Sequence, residues 1–165
     1  MPNNEFGDFQ TPLALARRCL EVLALPQHGP IRVLEPTCGR GAFLRAAQER
    51  NPMSIRYGID INADYVQVAR NYGTVAHANI FTRNLTDISW PDPTAPLFVI
   101  GNPPWVTAAE LNRMGSNNIP PKKNYKGMPG IAALLGSSNF DVCEYIILKA
   151  LTELRGQPLR LGMLC

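Results

Sequence analysis

Short apolar segments alternate with helical ones along this chain, and each apolar segment hands over to a polar side chain at its end. Ile31–Glu35, Ser54–Asp60, Thr74–Ala78 and Leu97–Ile100 read as strands, with helical runs at Ala42–Arg50 and Asp64–Asn71 between them. Strands that alternate with helices need long crossovers, which impose a mostly parallel sheet covered on both faces. Right-handed crossovers make such an α/β sheet doubly wound. Ligands of these sheets bind at the carboxyl ends of the strands. Glu35, Asp60, Asn79 and Asn102 fall at or just past those ends, so four strands deliver four polar side chains to one edge.

The flanking segments extend the pattern. Ahead of the first strand, Thr11 is a good N-cap and Pro12 suits the first helical position. Leu13, Ala16, Leu20 and Leu23 recur near helical spacing, giving a helix of about 13 residues. Pro26-Gln27-His28-Gly29-Pro30 ends it. A polar connection, Asn84–Pro96, precedes the fourth strand. From Val106 to Ser138 the chain is polar and rich in breakers, and loops of more than about 12–15 residues are usually functional or disordered. Asp141–Leu154 reads as an amphipathic helix with Val142, Tyr145, Ile146, Leu148 and Leu151 inward, and Leu159–Cys165 as a further strand. The chain stops inside that apolar run, which reads as a fragment of a longer protein truncated after its fifth strand.

The bulk numbers exclude several classes. At 165 residues, 45% hydrophobic and 18% charged, the chain supports one globular domain, 1–165. The +3 net charge is compatible with nucleic acid without pointing to it. No apolar run approaches the roughly 18 residues needed to span a bilayer, so no membrane partner is expected. Cys19, Cys38, Cys143 and Cys165 are scattered with only His28 and His77 beside them, which argues against a metal site or a disulfide framework. These features fit a reducing, cytoplasmic compartment.

Two stretches carry chemistry. Asn102-Pro103-Pro104-Trp105 follows the buried run Leu97–Gly101 and joins an amide, carbonyls without competing ring N–H groups, and a large aromatic. Each proline fixes its own φ and extends the residue before it, so the acceptors are held stiffly. Such a clamp suits a planar amine gripped by its hydrogens and stacked by its ring, although Asn-Pro and Pro-Pro also mark ordinary turns. Glu35-Pro36-Thr37-Cys38-Gly39-Arg40-Gly41 lies between a strand and a helix, where glycines admit close backbone approach and leave helix N–H groups free. Leu44 stands where a dinucleotide turn has its third glycine, and no Gly-Lys-Ser/Thr follows. With Glu35 entering the turn, a ligand carrying an ammonium group is favoured over a pyrophosphate. Asp60, about twenty residues on, is placed to accept from a ribose diol, or to start the next helix together with Asn62. Asn79 can meet an adenine edge or stabilise a turn.

Taken in order, Val33–Leu44, Gly58-Ile59-Asp60, Ala78-Asn79-Ile80-Phe81 and Ile100–Trp105 resemble the successive motifs of the adenine-N6 DNA methyltransferases. Phe9-Gln10-Thr11-Pro12 resembles that family's additional cofactor motif, and Asn139-Phe140-Asp141-Val142 its next motif. The resemblance implies a Rossmann-like class I methyltransferase sheet and S-adenosylmethionine as cofactor. It implies double-stranded DNA with a flipped adenine as partner. Thr11 and the turn containing Glu35, Pro36, Gly39 and Gly41 would hold the methionine part, with Glu35 near its ammonium. Asp60 would take the ribose hydroxyls and Ile61 would pack on the adenine. Asn79 and Ile80 would complete the adenine site, although the family commonly has an acid and an aromatic there. Catalysis would fall to Asn102 and the Pro103 carbonyl as acceptors, with Pro104 and a stacking Trp105, and would need no metal.

Related elements occur in methyltransferases acting on cytosine N4, RNA guanine or protein glutamine. The last two usually carry a more glycine-rich first motif with Asp, and lack a counterpart of Phe9–Pro12. An inactive cofactor-fold module serving DNA binding or assembly is the alternative from another class. No segment resembles a target-recognition region, and a second aromatic to clamp a flipped base would lie beyond Cys165. Lys122, Lys123 and Lys126 can contact phosphates or be ordinary solvated loop lysines.

Overall fold

Each residue of the Leu97–Gly101 strand, here β4, is buried, and the sheet is built around it and its neighbour Arg32–Glu35 (β1). The computed structural model describes residues 9–113, 118, 120 and 141–165; Lys122, Lys123, Lys126, Asn139 and Phe140 lie outside the described residues. The other strands are Ile55–Asp60 (β2), Thr74–His77 (β3) and Leu159–Met163 (β5). Their order is β3-β2-β1-β4-β5, and every pairing is parallel. The order reverses between β1 and β4, so the crevice at the carboxyl ends lies where Glu35 and Asn102 emerge side by side.

Alternation along β1 and β4 separates the two covering layers. Val33, Phe98 and Ile100 pack with Ala16 and Leu20 of Leu13–Val22 (α1) and with Phe43, Ala46 and Ala47 of Ala42–Arg50 (α2). Leu34, Leu97 and Val99 face the opposite way, onto Val142, Tyr145, Ile146 and Ala150 of a helix in the last quarter of the chain. Ala63–Ala69 (α3) packs on the first of these faces through Val66 and Ala69, against Leu44 and Val75. The expected doubly wound architecture is therefore present, with strand bounds shifted by a residue or two from the sequence reading. No helix among the described residues is long and apolar enough to cross a membrane.

Three expectations need correction. Thr11 does not cap α1: Pro12 occupies the N-cap in extended geometry (ψ 137°), and the Pro12 carbonyl takes the first helical N–H, from Ala16, at 3.0 Å. The helix then runs ten residues instead of about 13, because Ala24 turns left-handed (φ 53°). Leu25 N–H reaches back to the Leu20 carbonyl and Ala24 N–H to that of Glu21, both at 3.0 Å, which closes a Schellman end. Second, the stretch after Val106 is not wholly irregular. Ala108–Arg113 (α4) is helical, started by Thr107 and Glu110 in a reciprocal capping box with bonds of 2.8 and 3.2 Å. Third, Val142–Glu153 (α5) turns Leu151 outward (47% exposed) and buries Lys149. The Lys149 ammonium is satisfied by Glu153 at 2.6 Å, and Glu153 also accepts the Leu85 N–H from a short 3-10 turn, Leu85–Asp87.

A left-handed alanine costs what a glycine in that place does not. Ala24→Gly should raise stability by about 0.5–1 kcal/mol, read as a higher urea midpoint with an unchanged slope.

Candidate active site at the carboxyl edge of the sheet

Glu35 ends β1, Asp60 ends β2, Asn79 follows β3 by two residues, and Asn102 follows β4 directly. All four line one cleft of about 910 Å³, its open mouth included. Thr11, Pro36, Gly39, Ile61, Ile80 and Pro104 line it as well. Pro103 and Trp105 are not among the lining residues. Pro103 is buried, whereas Trp105 is 62% exposed with its indole N–H donating to the Leu164 carbonyl at 3.2 Å. Gly41 also lies back from the cleft, packed against Ala69.

The glycine turn is tied by side chains from three directions. Gly39 N–H donates to Asp60 Oδ2 at 2.7 Å, Arg40 N–H to Gln10 Oε1 at 3.0 Å, and Gly41 N–H to the Cys38 carbonyl at 2.7 Å. Leu44 N–H, in the first turn of α2, donates to Glu35 Oε2 at 3.2 Å. These N–H groups were expected to be free for a ligand; the chain itself uses them, so the turn offers no ready phosphate cradle. Of the two glycines, Gly39 lines the cleft and Gly41 stands behind it. Gly39 and Gly41 have φ of 50° and 81°, and a Cβ on them would meet Gln10 Oε1 at 2.7 Å or Ala69 Cβ at 3.0 Å. Left-handed geometry favours glycine at both positions, and the Ala69 backbone adds a packing reason at Gly41, whereas the end of the Gln10 side chain could move aside from Gly39.

Glu35 is 3% exposed and has no cationic partner among the described residues. Burial pushes its carboxyl well above the ordinary value, and the nearby Asp60 charge adds to that, while the Leu44 and Phe43 N–H groups pull the other way. Asp60 is not the cap of α3. Asn62 caps it, accepting from Asp64 and Tyr65 N–H, while Asp60 Oδ1 accepts the Asn62 N–H at 2.8 Å. Asp60 thus stands at the cleft wall with its carboxylate between the glycine turn and the entry to α3.

The Asn79 amide is oriented by its neighbours. Its Oδ1 accepts the Phe81 N–H at 2.9 Å, and its Nδ2 donates to Asn118 Oδ1 at 2.7 Å. Ile61 (45% exposed) and Ile80 (7%) supply apolar walls. At Asn102, Nδ2 donates to Thr11 Oγ1 at 3.2 Å, whereas Oδ1 is buried with no hydrogen-bond partner among the described residues. Thr37 Oγ1, also at the cleft, is in the same condition. Buried polar atoms left unmatched are uncommon and costly, so two in one cleft point to a ligand that supplies the missing partners.

Sequence reasoning passed over four residues here. Gln10 and Thr37 sit inside quoted motifs but carried no assigned role. Tyr65 lines the cleft with the Arg40 guanidinium 5.3 Å from its ring centroid. Asn118 comes from the polar stretch, where nothing in the local sequence distinguishes it.

No family model matches the chain. The type II methyltransferase M.NspV of Nostoc sp. (strain ATCC 29411 / PCC 7524) is 32% identical over 169 residues, which take in 98% of this chain and 35% of that protein. The chain is related by sequence to the type II methyltransferases. It spans about a third of the length of that curated relative. Among solved structures, one described as a modification subunit of a type I restriction enzyme from Vibrio vulnificus YJ016 matches with a TM-score of 0.59. It is 16% identical, and the match covers 95% of this chain and 34% of that one. The type IIG restriction endonuclease BpuSI matches with a TM-score of 0.51 at 14% identity, over 94% of this chain and 19% of its own. At these identities the likeness is one of fold, the doubly wound Rossmann-like methyltransferase sheet.

The Glu35 environment fixes a sign for pH dependence. Its folded-state pKa lies above the ordinary 4.5, so the folded protein holds this proton more tightly than the unfolded chain. The resulting stability is fully present below the ordinary value and is lost as pH rises through the folded-state pKa. Glu35→Gln should therefore unfold at a higher temperature than wild type at pH 8, with the gap closing as pH falls toward 4.5. Thermal scans across that range check it.

Proposed function

We propose that residues 1–165 form a methyltransferase domain that binds S-adenosylmethionine. Within the complete protein, acting in the cytoplasm, it methylates the exocyclic N6 amine of an adenine rotated out of double-stranded DNA. The observation that carries this reading is the Asn102 carbonyl oxygen, buried in a cleft beside the buried acid Glu35, with neither a partner for the oxygen nor a cation for the acid among the described residues.

The residues fit the cofactor on chemical grounds. Glu35 is a buried carboxyl with no cationic partner among the described residues, and an ammonium group would supply one. Thr37 offers an unmatched hydroxyl to the same polar end. Asp60 brings to the cleft a carboxylate of the kind that suits a diol, and Ile61 and Ile80 give apolar surface for a base. Asn79 has one remaining lone pair on Oδ1, a weaker acceptor than a carboxylate for an adenine amine. When bound, S-adenosylmethionine supplies a methyl group activated by attachment to a positively charged sulfur.

An exocyclic aromatic amine is a poor nucleophile because its lone pair is delocalised into the ring. Asn102 Oδ1 and the Pro103 carbonyl accept its two hydrogens, which favours a tetrahedral nitrogen with a localised lone pair. Acceptors held in place also stabilise the positive charge that develops on that nitrogen. The two prolines limit how far these acceptors can drift, so much of the barrier reduction comes from positioning. Trp105, exposed beside this segment, stacks on the extrahelical base, since the amine is unreachable inside the duplex.

The test uses the full-length protein with methyl-labelled S-adenosylmethionine and unmethylated DNA, digested to nucleosides after reaction. Label in N6-methyladenine is expected, and Asn102→Ala should lower the rate by about a hundredfold or more while S-adenosylhomocysteine still binds. Label in N4-methylcytosine would move the acceptor to another base. Label in RNA or protein alone, or none, would overturn the reading.

A further inference from the structure

Thr11 and Asn102 are 91 positions apart, and their one hydrogen bond joins the segment that grips the glycine turn to the acceptor clamp. The same short segment is anchored one residue earlier, where Gln10 Oε1 accepts the Arg40 N–H at 3.0 Å. Thr11 is therefore held at the cleft by its neighbour rather than by helix capping, for which its side chain is not used.

An amide has two unlike ends, and when one is engaged the other is left for a partner of the opposite kind. Here Nδ2 is engaged by Thr11, and Oδ1 is buried with no partner among the described residues. A hydroxyl can play either part: it can accept from Nδ2, or donate to Oδ1 if the amide is turned over. The two arrangements present opposite chemistry to an incoming amine. A carbonyl oxygen accepts the amine's hydrogens, whereas an NH2 group opposes them. The choice is made by where Thr11 sends its own proton. If that proton is donated elsewhere, the oxygen is free to accept, and the carbonyl of Asn102 is turned to the substrate.

We infer that Thr11 is a positioning residue for Asn102. Its hydroxyl donates to the carboxylate of the bound cofactor's amino-acid end and in turn accepts the Asn102 N–H, which locks Oδ1 toward the target amine. Occupancy of the cofactor side of the cleft thereby sets the polarity of the acceptor side, and the clamp is fully formed only when the cofactor is present. The cofactor's identity rests on the reading above; the Thr11–Asn102 geometry does not.

The side-chain amide protons of Asn102, followed by NMR in 15N-labelled protein, read the lock directly. Saturation with S-adenosylhomocysteine should slow their exchange with water by about fivefold or more, because a Thr11 hydroxyl held as an acceptor keeps the existing Nδ2 hydrogen bond closed for a larger share of the time. Saturation with 5′-methylthioadenosine, which lacks the carboxylate, should not. In Thr11→Val the slowing should disappear, and in Thr11→Ser it should persist. In the full-length enzyme at saturating cofactor, Thr11→Val should lower kcat by about tenfold or more, and Thr11→Ser should retain activity within about threefold. If Thr11→Val does not fold, the two-ligand comparison in wild type and Thr11→Ser decides alone. Equal exchange with both ligands, or a Thr11→Val defect confined to cofactor affinity, would overturn the lock and leave the methyltransferase reading standing. Failure of wild type to bind S-adenosylhomocysteine would overturn both.

Discussion

The Asp60 carboxylate is the tie on which the rest of the site depends. One oxygen holds the Gly39 N–H at 2.7 Å and the other the Asn62 N–H at 2.8 Å, so a side chain at the end of β2 fixes both the turn after β1 and the entry to α3. Hydrogen bonds from backbone N–H to an ionised acceptor are among the stronger ones a protein makes. With Gly39 fixed, Arg40 N–H is presented to Gln10, and the segment before α1 is drawn across the cleft. That in turn sets Thr11 against Asn102 at the end of β4. The ends of β1, β2 and β4 are thus linked through side chains at one edge, in addition to the ladder that pairs them.

The same edge stores unfavourable free energy. Glu35 is buried without a cation, and Thr37 Oγ1 and Asn102 Oδ1 are buried without partners among the described residues. Packing alone would replace such groups with apolar ones, since unmatched buried polar atoms each cost on the order of 1–3 kcal/mol. They are tolerated because the surrounding core is otherwise continuous. Leu34, Leu97 and Val99 back onto α5, while Val33 and Phe98 back onto α1 and α2. A cleft backed by a continuous core and holding polar groups without partners among the described residues is complementary to a ligand that supplies them, and this separates it from an ordinary loop cluster.

The fold was largely legible in the sequence because its strands are buried on both faces and its punctuation is strong. Leu97–Gly101 is a continuous apolar run, and Pro96 and Asn102 bound it. The grouping of Glu35, Asp60, Asn79 and Asn102 followed from the same reading, since a parallel sheet carries all its strand ends to one side. Helix ends were read less well. The end of α1 depends on Ala24 adopting a left-handed conformation that only glycine would have signalled. The start of α4 was legible in Thr107-Ala108-Ala109-Glu110, a capping-box pattern overshadowed by the breakers that follow it. Burial of Lys149 was not legible, because it requires Glu153 one turn on to face the same turn of chain at Leu85.

By itself the sequence determined the order of elements, the parallel sheet and which four strand-end side chains share an edge, because these follow from periodicity and from the handedness of crossovers. Tertiary structure alone decided what each polar group is bonded to. Thr11 looks like a helix cap locally, yet its hydroxyl meets an amide 91 positions away. Gly39 and Gly41 look like a ligand cradle, yet both also answer to left-handed geometry, and Gly41 to the Ala69 backbone behind it. Asn79 looks free, yet Phe81 and Asn118 orient it. Hydrogen bonds are short-ranged and directional, so their partners are fixed only once distant segments have been brought within about 3 Å of each other.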